Sequence, residues 1–261
     1  MAVIEFRDVH KRFDVPVLAG ISLTVASGET FAVVGPSGTG KSVLLKTTIG
    51  LIVPERGDVF IDGQSVFSAD KHALQEIRRK IGYVFQNAAL FDSMTVYENV
   101  SYGLSDEEMK KIGRQEVLRR VSRALQEVNL DPHQVLNKLP AELSGGMRKR
   151  VGLARAIVGG REVLLYDEPV TGLDPVNAAA IDRLITDIAE RMHVTSIVVT
   201  HDIEGALTIC DRIALLADGK LCFVGTPEEF RQSDQPLVRA FADREEAAVA
   251  ALHRVGARVA T

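Results

Sequence analysis

The sequence predicts an α/β fold in which a parallel β-sheet carries an inserted helical region. Two short runs, residues 31–34 and 163–166, are continuously apolar, as is typical of strands buried on both faces of a parallel sheet, and a third strand is predicted over 196–200. A glycine-rich turn joins the first run to an amphipathic helix over 40–50. From about 68 to 160 the sequence becomes charged and helical, which indicates an insertion between strands of the sheet.

Shorter signals place the remaining elements. A strand is predicted over 3–9, and a second one over 58–61 lies between two turn sequences. The Asp-Gly pair at 218–219 predicts a hairpin over 212–225. Pro236 is a suitable residue to open a helix within the segment 235–261. We therefore expect three parts: a core that contains the parallel sheet over 1–86 and 161–232, a helical subdomain over 87–160, and a C-terminal extension over 233–261.

Composition excludes several classes of protein. Of the 261 residues, 46% are hydrophobic and 25% are charged, which is ordinary for a globular chain and unlike a disordered or collagen-like one. The net charge of −4 argues against nucleic acid as a general partner. No apolar run approaches the length of a membrane span, and the N-terminus lacks the features of a signal peptide. Two cysteines cannot form a disulfide framework, so we expect a cytosolic protein in which both are buried.

The segment GPSGTGKS at 35–42 fits the pattern G-x-x-x-x-G-K-[ST] and lies between a predicted strand and a predicted helix. Its glycines allow backbone N–H groups to approach phosphates closely, and the helix N-terminus adds a partial positive charge. Lys41 can neutralise the β- and γ-phosphates, and Ser42 offers a hydroxyl to Mg²⁺. The segment therefore predicts a nucleotide phosphate site.

Two adjacent carboxylates follow the apolar run at 163–166. A buried strand that ends in Asp167 and Glu168 delivers them to the edge where open α/β sheets bind ligands. Asp167 suits a role at Mg²⁺, and Glu168 can polarise a water for attack on a γ-phosphate. Taken alone, the pattern is equally consistent with an ordinary strand end and turn.

A second anion site is predicted at 143–157. Ser144, Gly145 and Gly146 precede a basic amphipathic helix, where Ser144 can cap exposed N–H groups. One nucleotide does not need two such sites in one chain, so we expect the second site to serve the ATP of a partner. The alternative is a capped helix that follows a flexible turn.

Taken together and in this order, the motifs resemble those of the ATP-binding cassette (ABC) transporter ATPases over residues 1 to about 232. LSGGM at 143–147 matches the family signature, with Met147 where glutamine is usual. Each remaining motif residue has an ordinary structural explanation when taken alone. These residues are Phe13 in HKRF, Gln86 in YVFQN, Asp174 in GLDP and His201 in VVTHD.

The resemblance implies a P-loop ABC ATPase fold: a RecA-like parallel-sheet core, an antiparallel β subdomain and an inserted helical subdomain. It also implies ATP and Mg²⁺ as cofactors and a head-to-tail dimer with a second copy of the chain. The implied catalytic residues are Glu168, His201 and Gln86, and the implied metal-binding residues are Ser42, Gln86 and Asp167. The residues implied to contact nucleotide are Phe13, Gly35, Pro36, Ser37, Gly38, Thr39, Gly40, Lys41, Ser42, Val43, Ser144, Gly145, Gly146 and Asp174.

Longer stretches resemble the Mla/Mce-type phospholipid transport ATPases. They are GTGKSVLLKTTIGL, NAALFDSMTVYENV, LSGGMRKR, LLYDEPVTGLDP and SDQPLVRAF. This resemblance implies a peripheral protein on the cytoplasmic face of the bacterial inner membrane. Its partners would be membrane permease subunits, an MCE-domain lipid-binding protein and, in some systems, a small regulatory subunit. Two alternatives stay open: the ATPase of an importer for a polar solute such as an amino acid, and a soluble ABC protein that acts on ribosomes or nucleic acid.

Overall fold

The computed structural model describes residues 3–242, which form two β-sheets and the helices around them. The strands are β1 (Ile4–Arg12), β2 (Pro16–Val25), β3 (Thr30–Val34), β4 (Arg56–Ile61), β5 (Gln64–Ser65), β6 (Ile81–Val84), β7 (Val163–Asp167), β8 (Thr195–Thr200), β9 (Arg212–Ala217) and β10 (Lys220–Gly225). The helices are α1 (Lys41–Thr48), α2 (Lys71–Arg79), α3 (Val96–Ser101), α4 (Asp106–Glu127), α5 (Pro132–Val135), α6 (Gly145–Ile157), α7 (Pro175–Met192), α8 (Ile203–Ile209) and α9 (Pro227–Arg231).

A six-stranded sheet of order β10-β9-β3-β8-β7-β6 forms the centre of the molecule. Its inner strands pair in parallel, and every residue of β3, β7 and β8 is buried. Val199 lies opposite both Val33 and Asp167, so the carboxyl ends of these three strands meet at one edge. Ligands bind at this edge in open α/β sheets. The predicted α/β class is confirmed.

A separate antiparallel sheet of order β2-β1-β4-β5 covers one side of the core. Its buried residues pack with α1 and with the inner strands of the parallel sheet in one hydrophobic cluster. The sequence showed the strands over 3–9 and 58–61 but not β2, whose run of apolar residues is interrupted by Gly20 and begins at Pro16.

Helices α3 to α6 pack together and against α7 and β7 in a second cluster. Strand β6 lies within the stretch that the sequence described as helical. That description was wrong over Ile81–Val84, because a four-residue strand that contains Gly82 gives no alternating pattern. The helical insertion therefore starts after a strand of the parallel sheet, which ends directly before the loop containing Gln86.

The C-terminal part of the described chain completes the edge of the parallel sheet. Strands β9 and β10 form the predicted hairpin, and residues 236–242 form a helix that starts at Pro236 as predicted. The expectation that both cysteines are buried was wrong. Cys210 is only partly buried, and Cys222 is exposed because its strand β10 is an edge strand whose alternate residues face solvent. The rest of the predicted extension, 243–261, lies outside the described residues. No helix within 3–242 combines the length and apolarity needed to cross a bilayer.

Candidate active site

The phosphate loop connects β3 to α1 with a backbone that only glycine fits. Gly40 has a φ of +100°, and a Cβ at this position would lie 2.7 Å from Cγ1 of Val17. A Cβ on Gly35 would lie 2.2 Å from the carbonyl oxygen of Leu216. Gly40 is also the N-cap of α1 and offers no side chain to it. The first N–H groups of α1 therefore remain available to an anion, and the helix dipole adds to the attraction.

Lys41 lies buried at the centre of this loop. Its ammonium group donates to the carbonyl oxygens of Gly35 at 2.8 Å and Pro36 at 3.1 Å, and lies 3.5 Å from Oε1 of Glu168. Burial lowers the pKa of Lys41, and the negative charge of Glu168 opposes that shift. The ammonium is thus held among oxygen acceptors, a position from which it can turn to phosphate oxygens.

Asp167 ends β7 beside the first turn of α1. Its Oδ1 accepts a hydrogen bond of 2.6 Å from the hydroxyl of Ser42, and its Oδ2 accepts one of 2.8 Å from the hydroxyl of Tyr83. A hydroxyl beside a carboxylate is a donor set that Mg²⁺ prefers, so these residues fit the metal implied by the sequence. Burial and then the charge of Asp167 raise the pKa of Tyr83 well above its ordinary value, so the phenol stays a donor.

Tyr83 is a functional candidate that the sequence analysis missed. It lies on β6, and the register of β6 with β7 places Tyr83 opposite Leu165, two residues before Asp167. Recognition of residues 81–84 as a strand beside β7 would have revealed it.

Glu168 and His201 form a direct pair. Glu168 is only 9% exposed and has a φ of +50°, which turns its side chain away from the strand direction. Its Oε2 accepts hydrogen bonds from Nδ1 of His201 at 2.7 Å and from the Thr171 hydroxyl at 3.2 Å. A carboxylate held by a histidine at the carboxyl edge of the sheet is a suitable general base for water.

The signature residues form a second group. Ser144 caps α6 by accepting from the N–H of Met147. Gly145 and Gly146 begin the helix, where Gly145 is exposed and Gly146 is half-buried. A Cβ on Gly146 would lie 3.1 Å from Oδ1 of Asn177.

Asn177 also links this group to α7. Its amide donates to Asp174 at 2.6 Å, and Asp174 caps α7 through the N–H groups of Val176 and Asn177. The structure therefore brings the signature and Asp174 together, through an asparagine that the sequence analysis did not select.

Two further predicted residues lie on exposed segments. Phe13 is 57% exposed in the turn between β1 and β2, with the Lys11 ammonium 5.1 Å from its ring centroid. Gln86 is exposed directly after β6, and its carbonyl oxygen accepts a hydrogen bond from Lys149 of α6. Phe13 thus has an open aromatic face available, whereas the backbone of Gln86 is fixed by the signature helix.

Comparison with known proteins identifies the family. The ABC transporter family model matches residues 18–171. Curated relatives include the probable ribonucleotide transport ATP-binding protein mkl of Mycobacterium leprae, which is 41% identical over 91% of this chain and 68% of its own length. The Arabidopsis thaliana protein TRIGALACTOSYLDIACYLGLYCEROL 3, chloroplastic, is 40% identical over 92% and 73%. The methionine import ATP-binding protein MetN of Caulobacter vibrioides is 37% identical over 98% and 77%.

A solved structure shares the fold. The ATP-binding cassette MJ0796, in a dimeric post-hydrolysis state bound to ADP and phosphate, matches with a TM-score of 0.77 and 31% identity over 86% of this chain and 98% of that one. The chain spans 60 to 68% of the length of the mycobacterial mkl relatives. These matches confirm the predicted ABC ATPase fold. The chain belongs to the ABC transporter family and is an ATPase that uses ATP with Mg²⁺.

Proposed function

We propose that this chain energises phospholipid transport at the bacterial inner membrane, on its cytoplasmic face, together with separate permease subunits and an MCE-domain lipid-binding protein. The observation that carries the proposal is the set of stretches that resemble Mla/Mce-type ATPases, above all NAALFDSMTVYENV next to Gln86. The Arabidopsis relative adds support, because it is named after a glycolipid, trigalactosyldiacylglycerol, and the match covers 92% of this chain.

The residues at the carboxyl edge of the parallel sheet form the first group: the phosphate loop, Asp167, Glu168 and His201. Together with Gln86, they divide the chemistry of ATP hydrolysis among them. Lys41 and the N–H groups at the start of α1 bind the β- and γ-phosphates. Ser42, Asp167 and Gln86 would hold Mg²⁺, which would neutralise charge on the phosphates. Glu168 accepts a proton from the attacking water. His201 orients Glu168 through the 2.7 Å hydrogen bond and reaches the γ-phosphate.

The second group completes the site of another copy. Ser144 caps the N-terminus of α6, but α6 packs in one hydrophobic cluster, whereas α1, which follows the phosphate loop, packs in the other. We infer that two copies pack head to tail, so that Ser144, Gly145 and Gly146 of one chain meet the ATP held by the other. Phe13 stacks on adenine, and Asp174 lies at the same interface. The dimeric solved relative supports this arrangement.

This chain has a groove that is suitable for docking of a permease. A cavity of about 460 Å³ beside β6 is lined by aromatic residues that are partly exposed, including Phe85, Phe91 and Tyr102. The rings of Phe91 and Tyr102 lie 4.8 Å apart in an edge-to-face contact. Exposed aromatic clusters mark protein interfaces, and this one adjoins the loop of Gln86. Binding of a permease here would reach the ATP site through that loop.

The test is recovery of partners from the native cell. The chain is tagged at its own locus, the membranes are solubilised gently, and the proteins that co-purify are identified. We expect a multi-span permease and an MCE-domain protein. A Phe91→Asp variant should lose the permease and keep ATP binding, because a charge in the groove is costly to bury. Recovery of ribosomal proteins without a permease would refute the proposal.

An importer of a polar solute is the second candidate. The Caulobacter relative, which is named for methionine import, matches over 98% of this chain and supports it. The same purification separates the two candidates. A permease together with a solute-binding protein, and without an MCE-domain protein, would favour the importer.

A further inference from the structure

The loop after β6 has an unusual backbone. Ala88 and Ala89 are consecutive non-glycine residues with φ values of +59° and +46°. Such residues are strained and persist where the surrounding structure holds them in place. Ala88 is buried, so its surroundings are protein rather than water. The contacts that hold this loop therefore determine where the adjoining Gln86 lies.

Those contacts come from one face of α6. Lys149 donates to the carbonyl oxygen of Gln86. Two turns later, Arg155 donates to the carbonyl oxygens of Ala88 at 2.6 Å and Ala89 at 2.7 Å. Gly152 lies between them, and a Cβ there would lie 3.1 Å from Cβ of Ala88. Residues spaced by three share a helix face, so the whole face is fitted to the loop.

The same helix carries the signature at its N-terminus. Lys149 follows Gly145 by one turn, about 6 Å along the axis. Near its C-terminal end, α6 packs directly on β6, where a Cβ on Gly82 would lie 2.5 Å from the carbonyl oxygen of Ala156. The residues that bind a partner's ATP in the proposed dimer and the residues that hold Gln86 thus lie on one continuous helix.

We propose that Lys149 and Arg155 are positioning residues for ATP hydrolysis, which tie the Gln86 loop to the signature helix. Gln86 and the signature residues then reach their respective ATP molecules in one movement. This inference rests on the proposed function, since it takes Gln86 as a residue of the ATP site. Neither side chain needs to touch ATP. Lys149 acts through the Gln86 carbonyl, and Arg155 holds the left-handed backbone that follows.

Lys149 has two routes to the ATP site, one through the Gln86 loop and one through Glu168, and the experiment must separate them. Burial lowers the pKa of Lys149, while the charge of Glu168 opposes that shift, so the ammonium and this carboxylate lie within electrostatic reach. A double-mutant cycle between Lys149 and Gln86 distinguishes the routes, because a residue that acts through Gln86 has no effect once Gln86 is removed.

Steady-state ATPase activity of the full chain is measured for the wild type, Lys149→Met, Gln86→Ala and the double variant. We expect Lys149→Met to lower kcat about 10- to 100-fold with little change in KM, because misplacement of a catalytic group costs rate rather than binding. Lys149→Arg should restore most of the activity. Arg150→Met is the matched control, because Arg150 lies on the same helix but contacts the carbonyl oxygen of Asn129 at 3.4 Å.

The double variant decides the outcome. If Lys149 acts through Gln86, the double variant is no slower than Gln86→Ala alone. If the two losses multiply, Lys149 acts independently and the inference is wrong. If Gln86→Ala itself keeps wild-type kcat, the proposed role of Gln86 is wrong, which is a different failure. Thermal unfolding of Lys149→Met at the wild-type temperature would exclude a folding defect, and a large drop in that temperature would overturn the positioning role.

Discussion

Asp167 accepts two hydrogen bonds from residues that lie far apart in the sequence. Ser42 is the last residue of the phosphate loop motif and Tyr83 lies on β6, yet both hydroxyls lie within 2.8 Å of this carboxylate. The arrangement leaves the carboxylate oriented by its neighbours before any metal binds. Orientation of metal ligands by surrounding hydrogen bonds is a general way to strengthen a weak Mg²⁺ site.

Removal of the Tyr83 hydroxyl tests this orientation. We expect Tyr83→Phe to raise the Mg²⁺ concentration for half-maximal ATPase activity about 10- to 100-fold, because loss of a hydrogen bond that orients a metal ligand weakens metal binding by about that factor. The measurement is an Mg²⁺ titration at saturating ATP. Tyr97→Phe is the control, because Tyr97 packs in the helical cluster away from Asp167. An unchanged Mg²⁺ dependence in Tyr83→Phe would show that Asp167 needs no such support.

The sequence motifs predicted most residues of the first group, but not the residues that hydrogen-bond or pack against the motif residues. The spacing of GPSGTGKS and the apolar run before Asp167 were sufficient to place Lys41, Ser42 and the carboxylates. Tyr83 and Asn177 were missed, because a lone tyrosine or asparagine carries no local pattern. Their roles arise from strand register and helix packing, which join segments separated by up to 84 residues.

At the scale of elements, α7 and α8 are packed so that two carboxylates approach each other. Asp202 caps α8 by accepting from the N–H of Gly205 at 2.9 Å. A Cβ on Gly205 would lie 2.7 Å from Oδ2 of Asp202 and 3.0 Å from Oδ2 of Asp182 on α7. Burial, and then the charge of Asp202, raise the pKa of Asp182 to about 6.

This shift predicts how Asp182 affects stability. The folded pKa lies above the ordinary value of 3.8, so the folded state binds more protons between about pH 4 and 6. The contribution of Asp182 to stability is therefore present at low pH and lost as the pH rises through 6. We expect Asp182→Asn to stabilise the protein at pH 7.5 by about 1 kcal/mol, or roughly 2–4 °C in Tm, after allowance for its partial exposure.

Thermal unfolding at pH 7.5 and pH 5 checks this expectation. The gain should shrink at pH 5, where Asp182 of the wild type is already largely protonated. Glu190→Gln, which removes one exposed negative charge near the end of the same helix, is the control. An equal gain at both pH values would mean that proximity to Asp202 is not the cause.

The elements themselves were predicted unevenly. Buried strands such as β7 and β8 were evident, because a parallel sheet covered on both faces requires continuous apolar runs. Strands β2 and β6 were missed because one is interrupted by glycine and the other has four residues. Both lie beside the ATP site, so the least visible strands are the ones that position Gly40 and Gln86.

At the scale of the whole molecule, the motif side chains form two separate groups, which the proposed head-to-tail dimer would join into one ATP site. The phosphate loop, Asp167, Glu168 and His201 form one group at the edge of the parallel sheet. Ser144, Gly146, Asn177 and Asp174 form the other at the ends of α6 and α7. The sequence motifs pointed to the residues of both groups except Asn177. In the proposed dimer, the way the two groups meet depends on a second copy, whose placement no pattern within one chain encodes.

The Glu168→Gln variant tests this account most directly. Its molecular mass is measured by light scattering with ATP and Mg²⁺, alongside phosphate release. We predict that the variant binds ATP, loses about 100-fold or more in turnover because the general base is gone, and doubles its mass from 28.4 kDa. Addition of Ser144→Arg should prevent the doubling but not ATP binding. Near-normal phosphate release in Glu168→Gln, or ATP binding with no change in mass, would contradict the account.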